Sequence, residues 1–74
     1  MINIVIVDDD VLALTKLKSL INLKNTKVSG EYTQPEDALS HIRKHRTDIL
    51  LTDMRMPKID GIELIRQARE INPA

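Results

Sequence analysis

The chain has no cysteine, which excludes a disulfide framework and any thiolate metal site, although it says little about redox compartment. Phenylalanine and tryptophan are missing too, leaving Tyr32 as the single aromatic residue. Aliphatic packing must therefore carry whatever core forms. Neither sign of charge dominates: Lys plus Arg and Asp plus Glu are both 11, so the balance gives no reason to propose a polyanion or a membrane surface as partner. Nucleic acid binding by this segment is not indicated. The opening apolar run, Ile2 to Val7, ends in acid and is too short for a signal peptide or a spanning helix. A cytoplasmic protein without a membrane partner is the expectation. With 74 residues the chain holds at most one small domain, and a domain of that size hides only about 60% of the surface its unfolded chain exposes.

What is present alternates. Ile2, Ile4, Val5, Ile6 and Val7 form a β-branched run with little alternation, the pattern of a central parallel strand covered on both faces. From Val11 to Leu23 the period becomes helical, with Ala13, Leu14, Leu17, Leu20 and Ile21 on one stripe. Leu12 and Leu23 fall off that stripe. Lys27 to Glu31, carrying Gly30, reads as an edge strand. Thr33-Gln34-Pro35-Glu36 reads as a capping box with Thr33 as the cap, opening a helix through about His45 whose core side is Ala38, Leu39 and Ile42. Asp48 to Thr52 is a third strand. Asp60-Gly61-Ile62-Glu63 opens a third helix, with Leu64, Ile65, Ala68 and Ile71 as its buried stripe. Strand, helix, strand, helix, strand, helix implies a parallel sheet with right-handed crossovers and helices on its faces.

Both of the stronger strands end in aspartate: Val7 runs into Asp8-Asp9-Asp10, and Thr52 into Asp53. Neighbouring parallel strands lie about 5 Å apart, so these carboxylates converge at the carboxyl end of the sheet, where open α/β sheets bind ligands. Carboxylates 4 Å apart repel by about 4 kcal/mol per pair at an effective dielectric near 20. Either one of them takes up a proton, or a cation sits between them; hard oxygen ligands with room for water suit Mg²⁺. A carboxylate beside such a metal can attack phosphorus and become an aspartyl phosphate.

Ile4-Val5-Ile6-Val7-Asp8-Asp9-Asp10, followed by Leu51-Thr52-Asp53-Met54-Arg55-Met56-Pro57-Lys58-Ile59-Asp60-Gly61, resembles the receiver domain of two-component response regulators. The resemblance implies a flavodoxin-like three-layer fold with strand order 2-1-3. It makes Asp53 the phosphoacceptor that takes a phosphoryl group from a sensor histidine kinase or a phosphotransfer protein. Asp8 and Asp9 match the acidic pair that holds Mg²⁺ together with Asp53, and the backbone carbonyl of Arg55 matches a further ligand. Pro57 and Gly61 match loop residues leading into the third helix, and Ile59 stands where methionine is common. The Arg55 side chain occupies a position that influences phosphoryl lifetime. Such a domain is a signalling substrate and not an enzyme, since the aspartate turns over only its own phosphoryl group. The resemblance covers residues 1–74, equivalent to the first three of the family's five βα units. A hydroxyl residue after the fourth strand, a lysine after the fifth strand and two helices have no counterpart.

Other readings compete. A receiver fragment that no longer signals would only associate with itself. The segment Ile4 to Val11 also fits an apolar strand followed by Asp-x-Asp-x-Val, similar to haloacid-dehalogenase-like phosphatases, with Asp8 as nucleophile and Asp10 as general acid; it leaves Asp53 unexplained. Asp10 otherwise reads as a helix cap. His41 and His45 share a helix face at a zinc-compatible spacing, but no third ligand is evident and a solvated face is expected. Arg55 and Lys58 would draw an anionic donor or simply be solvated. The third-strand edge and the first-helix face are left without partners, so a homo-oligomer through either is expected.

Overall fold

Successive side chains of a strand point to opposite faces, so a strand that is apolar at nearly every position needs cover on both. The computed structural model, which describes residues 1–21, 24–53 and 60–71, provides it. β1 (Ile2–Val7) lies between β2 (Thr26–Tyr32) and β3 (Ile49–Thr52) in a parallel sheet of order β2-β1-β3. Ile4 and Ile6 face α1 (Val11–Leu20) and pack with Leu14, Leu17, Ile21 and Val28. Val5 and Val7 face the other way, onto Ala38 and Leu39 of α2 (Pro35–Lys44) and Leu64 of α3 (Gly61–Ile71). The expected flavodoxin-like layering and the order 2-1-3 both hold.

Element ends differ from the sequence reading for identifiable reasons. α1 stops at Leu20 and not at Leu23: Ile21 is extended (φ −82°, ψ 98°), and its N–H closes on the Leu17 and Lys18 carbonyls. In that conformation Ile21 still reaches the Ile4–Ile6 cluster. Leu20, expected on the stripe, is 70% exposed. Lys18 reaches Glu31 of β2 at 3.1 Å, which puts Leu20, more than half a turn away around the helix, on the opposite flank. Leu12 is exposed, and Leu23 lies outside the described residues.

α2 is capped by Gln34, not Thr33, and Gln34 makes no side-chain capping bond. Pro35 explains the shift. It occupies the first helical position, where its missing donor costs nothing, and it forces the preceding residue out of helical geometry. The other two caps fall where expected. Asp10 Oδ1 accepts the Leu12 N–H at 2.9 Å, and Asp60 Oδ1 accepts the Glu63 N–H at 2.8 Å.

Asp48, expected as the first residue of β3, serves instead as its clamp. Its carboxylate accepts the Asn3 N–H at 2.8 Å while its own N–H donates to the Asn3 carbonyl at 2.9 Å. The Asn3 N–H, and next Arg46, hold the Asp48 carboxyl below the usual carboxylate range. The β1–β3 register fixed there puts Ile49 opposite Ile4 and Leu51 opposite Ile6. Both stand on the α1 face, yet they remain 41% and 37% exposed because α1 sits over β1 and β2.

β2 is irregular where it passes the middle of β1. Ile4 pairs with Val28 but Val5 pairs with Gly30, so Ser29 is an extra residue on the strand. Gly30 follows it for a steric reason. A Cβ there would stand 2.7 Å from Tyr32 Cε2 and 3.0 Å from His41 Cε1, so the position admits no side chain while those rings keep their places.

Candidate functional site

Parallel strands bring their carboxyl ends to one edge of a sheet, and Val7 and Thr52 are partners at that edge. The residues that follow them continue the ladder for one more step. The Asp53 N–H donates to the Val7 carbonyl and the Asp8 N–H to the Tyr32 carbonyl, each at 3.1 Å. Backbone bonds on both neighbours therefore fix where the two aspartates leave the sheet.

Their side chains meet there together with Asp9. Each of Asp8, Asp9 and Asp53 offers a carboxylate oxygen, and the three oxygens lie within 4.8 Å of one another. No other such group of three His, Asp or Glu side chains occurs among the described residues. Asp8 and Asp53 are half-buried and Asp9 is exposed. Asp8 is further oriented because its Oδ1 accepts the Asp10 N–H at 2.9 Å. Asp10 itself turns to α1 as its cap and stays out of the trio. An all-oxygen set with one side open to water fits a hard cation such as Mg²⁺ better than a thiophilic or imidazole-seeking metal.

The carbonyl of Arg55, and the positions Met54, Met56, Pro57, Lys58 and Ile59, lie outside the described residues. Gly61 is buried at the first position of α3.

The histidine pair differs from the sequence expectation. His45 is exposed, but His41 is half-buried over β2, with Nδ1 2.7 Å from Tyr32 Oη and its ring centroid 4.7 Å from that of His45. Burial, and next the charge of His45, lower the His41 pKa from the ordinary imidazole value. The reading as a solvated face fails because α2 turns His41 toward the gap that Gly30 leaves open. The signals in the sequence were the adjacent small residues Ser29 and Gly30 and the one aromatic ring, Tyr32, on the same strand.

Comparison with known proteins bears on the same residues. A family model described as the response regulator receiver domain matches residues 4–74. The chain is 37% identical over 73 residues to the transcriptional regulatory protein ZraR of Salmonella typhimurium, covering 99% of this chain and 16% of that protein. It is 43% identical over 72 residues to the cyclic di-GMP phosphodiesterase response regulator RpfG of Xanthomonas campestris pv. campestris, covering 95% of this chain and 19% of that one. Among solved structures, a CheX–CheY–BeF₃–Mg²⁺ complex from Borrelia burgdorferi superposes with a TM-score of 0.85 at 27% identity, over 97% of this chain and 55% of the solved one. The chain thus spans less than a fifth of these two curated relatives and about half of the solved structure. With the family model matching nearly every residue and the fold agreeing, the chain belongs to the response regulator receiver domain family of two-component systems.

Proposed function

We propose that this chain accepts a phosphoryl group on Asp53 from a sensor histidine kinase or a phosphotransfer protein, with Mg²⁺ held by Asp8, Asp9, Asp53 and the backbone carbonyl of Arg55. The observation that carries the reading is the convergence of three carboxylates within 4.8 Å at the end of β1 and β3. The solved CheY relative, described as a complex with BeF₃ and Mg²⁺, supports the same chemistry. In the transfer, one carboxylate oxygen of Asp53 forms the bond to phosphorus. The bond from phosphorus to the donor's imidazole nitrogen breaks, and that nitrogen keeps the electron pair and later takes up a proton. Mg²⁺ supplies positive charge that offsets the negative charge on the phosphoryl oxygens. Asp8 and Asp9 orient, and Asp53 reacts. On this reading the chain provides the first three βα units of a cytoplasmic receiver and consumes one phosphoryl group per aspartate, as a signalling substrate does.

The test is the intact mass of the folded chain after incubation with a small acyl phosphate, with and without Mg²⁺. The expected result is a gain of one phosphoryl group, dependent on Mg²⁺ and mapped to Asp53. Label on Asp8 would overturn the proposal in favour of the phosphatase-like reading, and an unlabelled folded protein would leave only the fold of a receiver.

A second copy of the chain is the partner we propose for the β3 edge, where Ile49 and Leu51 keep much of their apolar surface in water. Sedimentation velocity across a micromolar concentration series should show the coefficient rising with concentration. A constant monomer value would remove this part of the proposal.

A further inference from the structure

Two imidazoles that the acidic site does not use stand together at the C-terminal end of α2. His45 gives its N–H to the His41 carbonyl at 2.8 Å. The last turn of the helix thus sets the pair at the spacing with which two helical histidines share a zinc ion. Their ring centroids are 4.7 Å apart and the rings tilt by 41°. Two imidazoles on one tetrahedral ion, with metal–nitrogen bonds of about 2.0–2.1 Å, hold their ring centres about 5 Å apart. His45 is exposed and makes no side-chain hydrogen bond among the described residues, so a small turn of its ring closes that difference.

The strand beneath completes the surroundings. Ser29, the extra residue of the β2 bulge, places its Oγ 3.5 Å from His41 Nε2. That is long for a hydrogen bond, yet it matches the edge of about 3.4 Å between neighbouring ligands of a tetrahedral zinc. On the other side of the same ring, Nδ1 lies 2.7 Å from Tyr32 Oη. With a metal on Nε2, Nδ1 keeps its proton and donates it to that oxygen, the outer partner that a metal-bound imidazole ordinarily has. Gly30 leaves the ring its place, since a Cβ there would stand 3.0 Å from His41 Cε1.

We propose that His41 Nε2, a ring nitrogen of His45 and the Ser29 hydroxyl form a second metal site, completed by water, for Zn²⁺ or a neighbouring imidazole-seeking ion. It differs in chemistry from the acidic trio and does not rest on the phosphoryl-transfer reading. Lys27 and Arg46 border the cleft that Ser29 shares with the two rings, and Lys44 and Asp37 border the cleft beside Tyr32. Arg46 is paired with Asp48 at 3.3 Å. Three cations against one bordering acid disfavour a hard ion held by charge alone, such as Mg²⁺, and leave the position to ions that bond strongly to imidazole. A bound ion ties the last turn of α2 to the bulge of β2.

The experiment is a Zn²⁺ titration of the full chain at about pH 7, with excess Mg²⁺ present to compete at the acidic trio, read by calorimetry and by the NMR signals of the two histidine rings. The His41 and His45 rings should move together at a single Zn²⁺ midpoint and ignore Mg²⁺. His45→Gln changes only an exposed side chain and should lower Zn²⁺ affinity at the His41 ring roughly tenfold or more. His41→Gln should do the same at His45. Tyr32→Phe keeps both imidazoles and removes the outer oxygen; both rings should still move, with affinity roughly tenfold lower. Rings that move at different Zn²⁺ concentrations, or an affinity in His45→Gln equal to that of the wild type, overturn the proposal. Heat of binding with both rings unmoved would place Zn²⁺ elsewhere and overturn it as well.

Discussion

Asp53→Asn is expected to abolish the Mg²⁺-dependent gain of a phosphoryl group while leaving the protein folded and at least as stable as before. The substitution keeps the shape of the side chain and the backbone bond from residue 53 to Val7. It removes the anionic oxygen that would form the bond to phosphorus and turns an amide donor toward Asp8 and Asp9. In metal-free buffer the stability change has the opposite sign to the chemical one. Two unit charges 4 Å apart repel by about 4 kcal/mol at an effective dielectric near 20, and water on the open side of the trio reduces this. Relief of part of that repulsion raises the urea midpoint, and the gain disappears when Mg²⁺ is present to neutralise the wild-type cluster. Mass spectrometry and paired urea titrations with and without Mg²⁺ read both effects. A variant labelled as well as the wild type would end the case for Asp53.

Leu64→Ala is expected to leave the chain largely unfolded at room temperature. Leu64 has no exposed surface and joins Val5, Val7, Ala38 and Leu39 in the core on the α2–α3 side of the sheet. It is also the one fully buried aliphatic residue that α3 contributes, since Ile65, Ala68 and Ile71 are half-buried. Truncating a buried leucine costs about 2–5 kcal/mol, and domains below about 80 residues rarely hold more than about 3–5 kcal/mol in a single core. The loss is therefore as large as the total. Far-ultraviolet circular dichroism during thermal melting should show a broad, early transition. A melt superimposable on that of the wild type would mean that α3 does not anchor this core.

The parts of this molecule that were legible in the sequence are those written by local pattern. The β-branched run of β1, the caps Asp10 and Asp60, and the acids at the ends of two strands each follow from neighbours in the chain, and the structure brings Asp8, Asp9 and Asp53 together. What escaped depends on residues distant in sequence. The apolar spacing of Leu20 extended the helical stripe on paper, but whether that flank is covered depends on what sits over β3. Thr33 has the chemistry of a cap, and the backbone demand of Pro35 overrides it. His41 looked solvated because a helix face says nothing about a bulge in the strand beneath it, and the bulge at Ser29 shows only in the β1–β2 register.

The position of β1 between its two neighbours also sets the order of assembly. The segment that forms the centre of the sheet is synthesised before both of its neighbours, and its last ladder partners, Ile49–Thr52, lie some forty-five residues further along the chain. Its β2 edge can be satisfied as soon as α1 and β2 have formed, across a much shorter closure, while the other edge waits until β3 is made. Loop closure costs entropy before distant contacts repay it. A nascent chain in which β3 has not yet formed therefore leaves one edge of β1 without its ladder partner, and an unpaired strand edge is open to pairing with another chain.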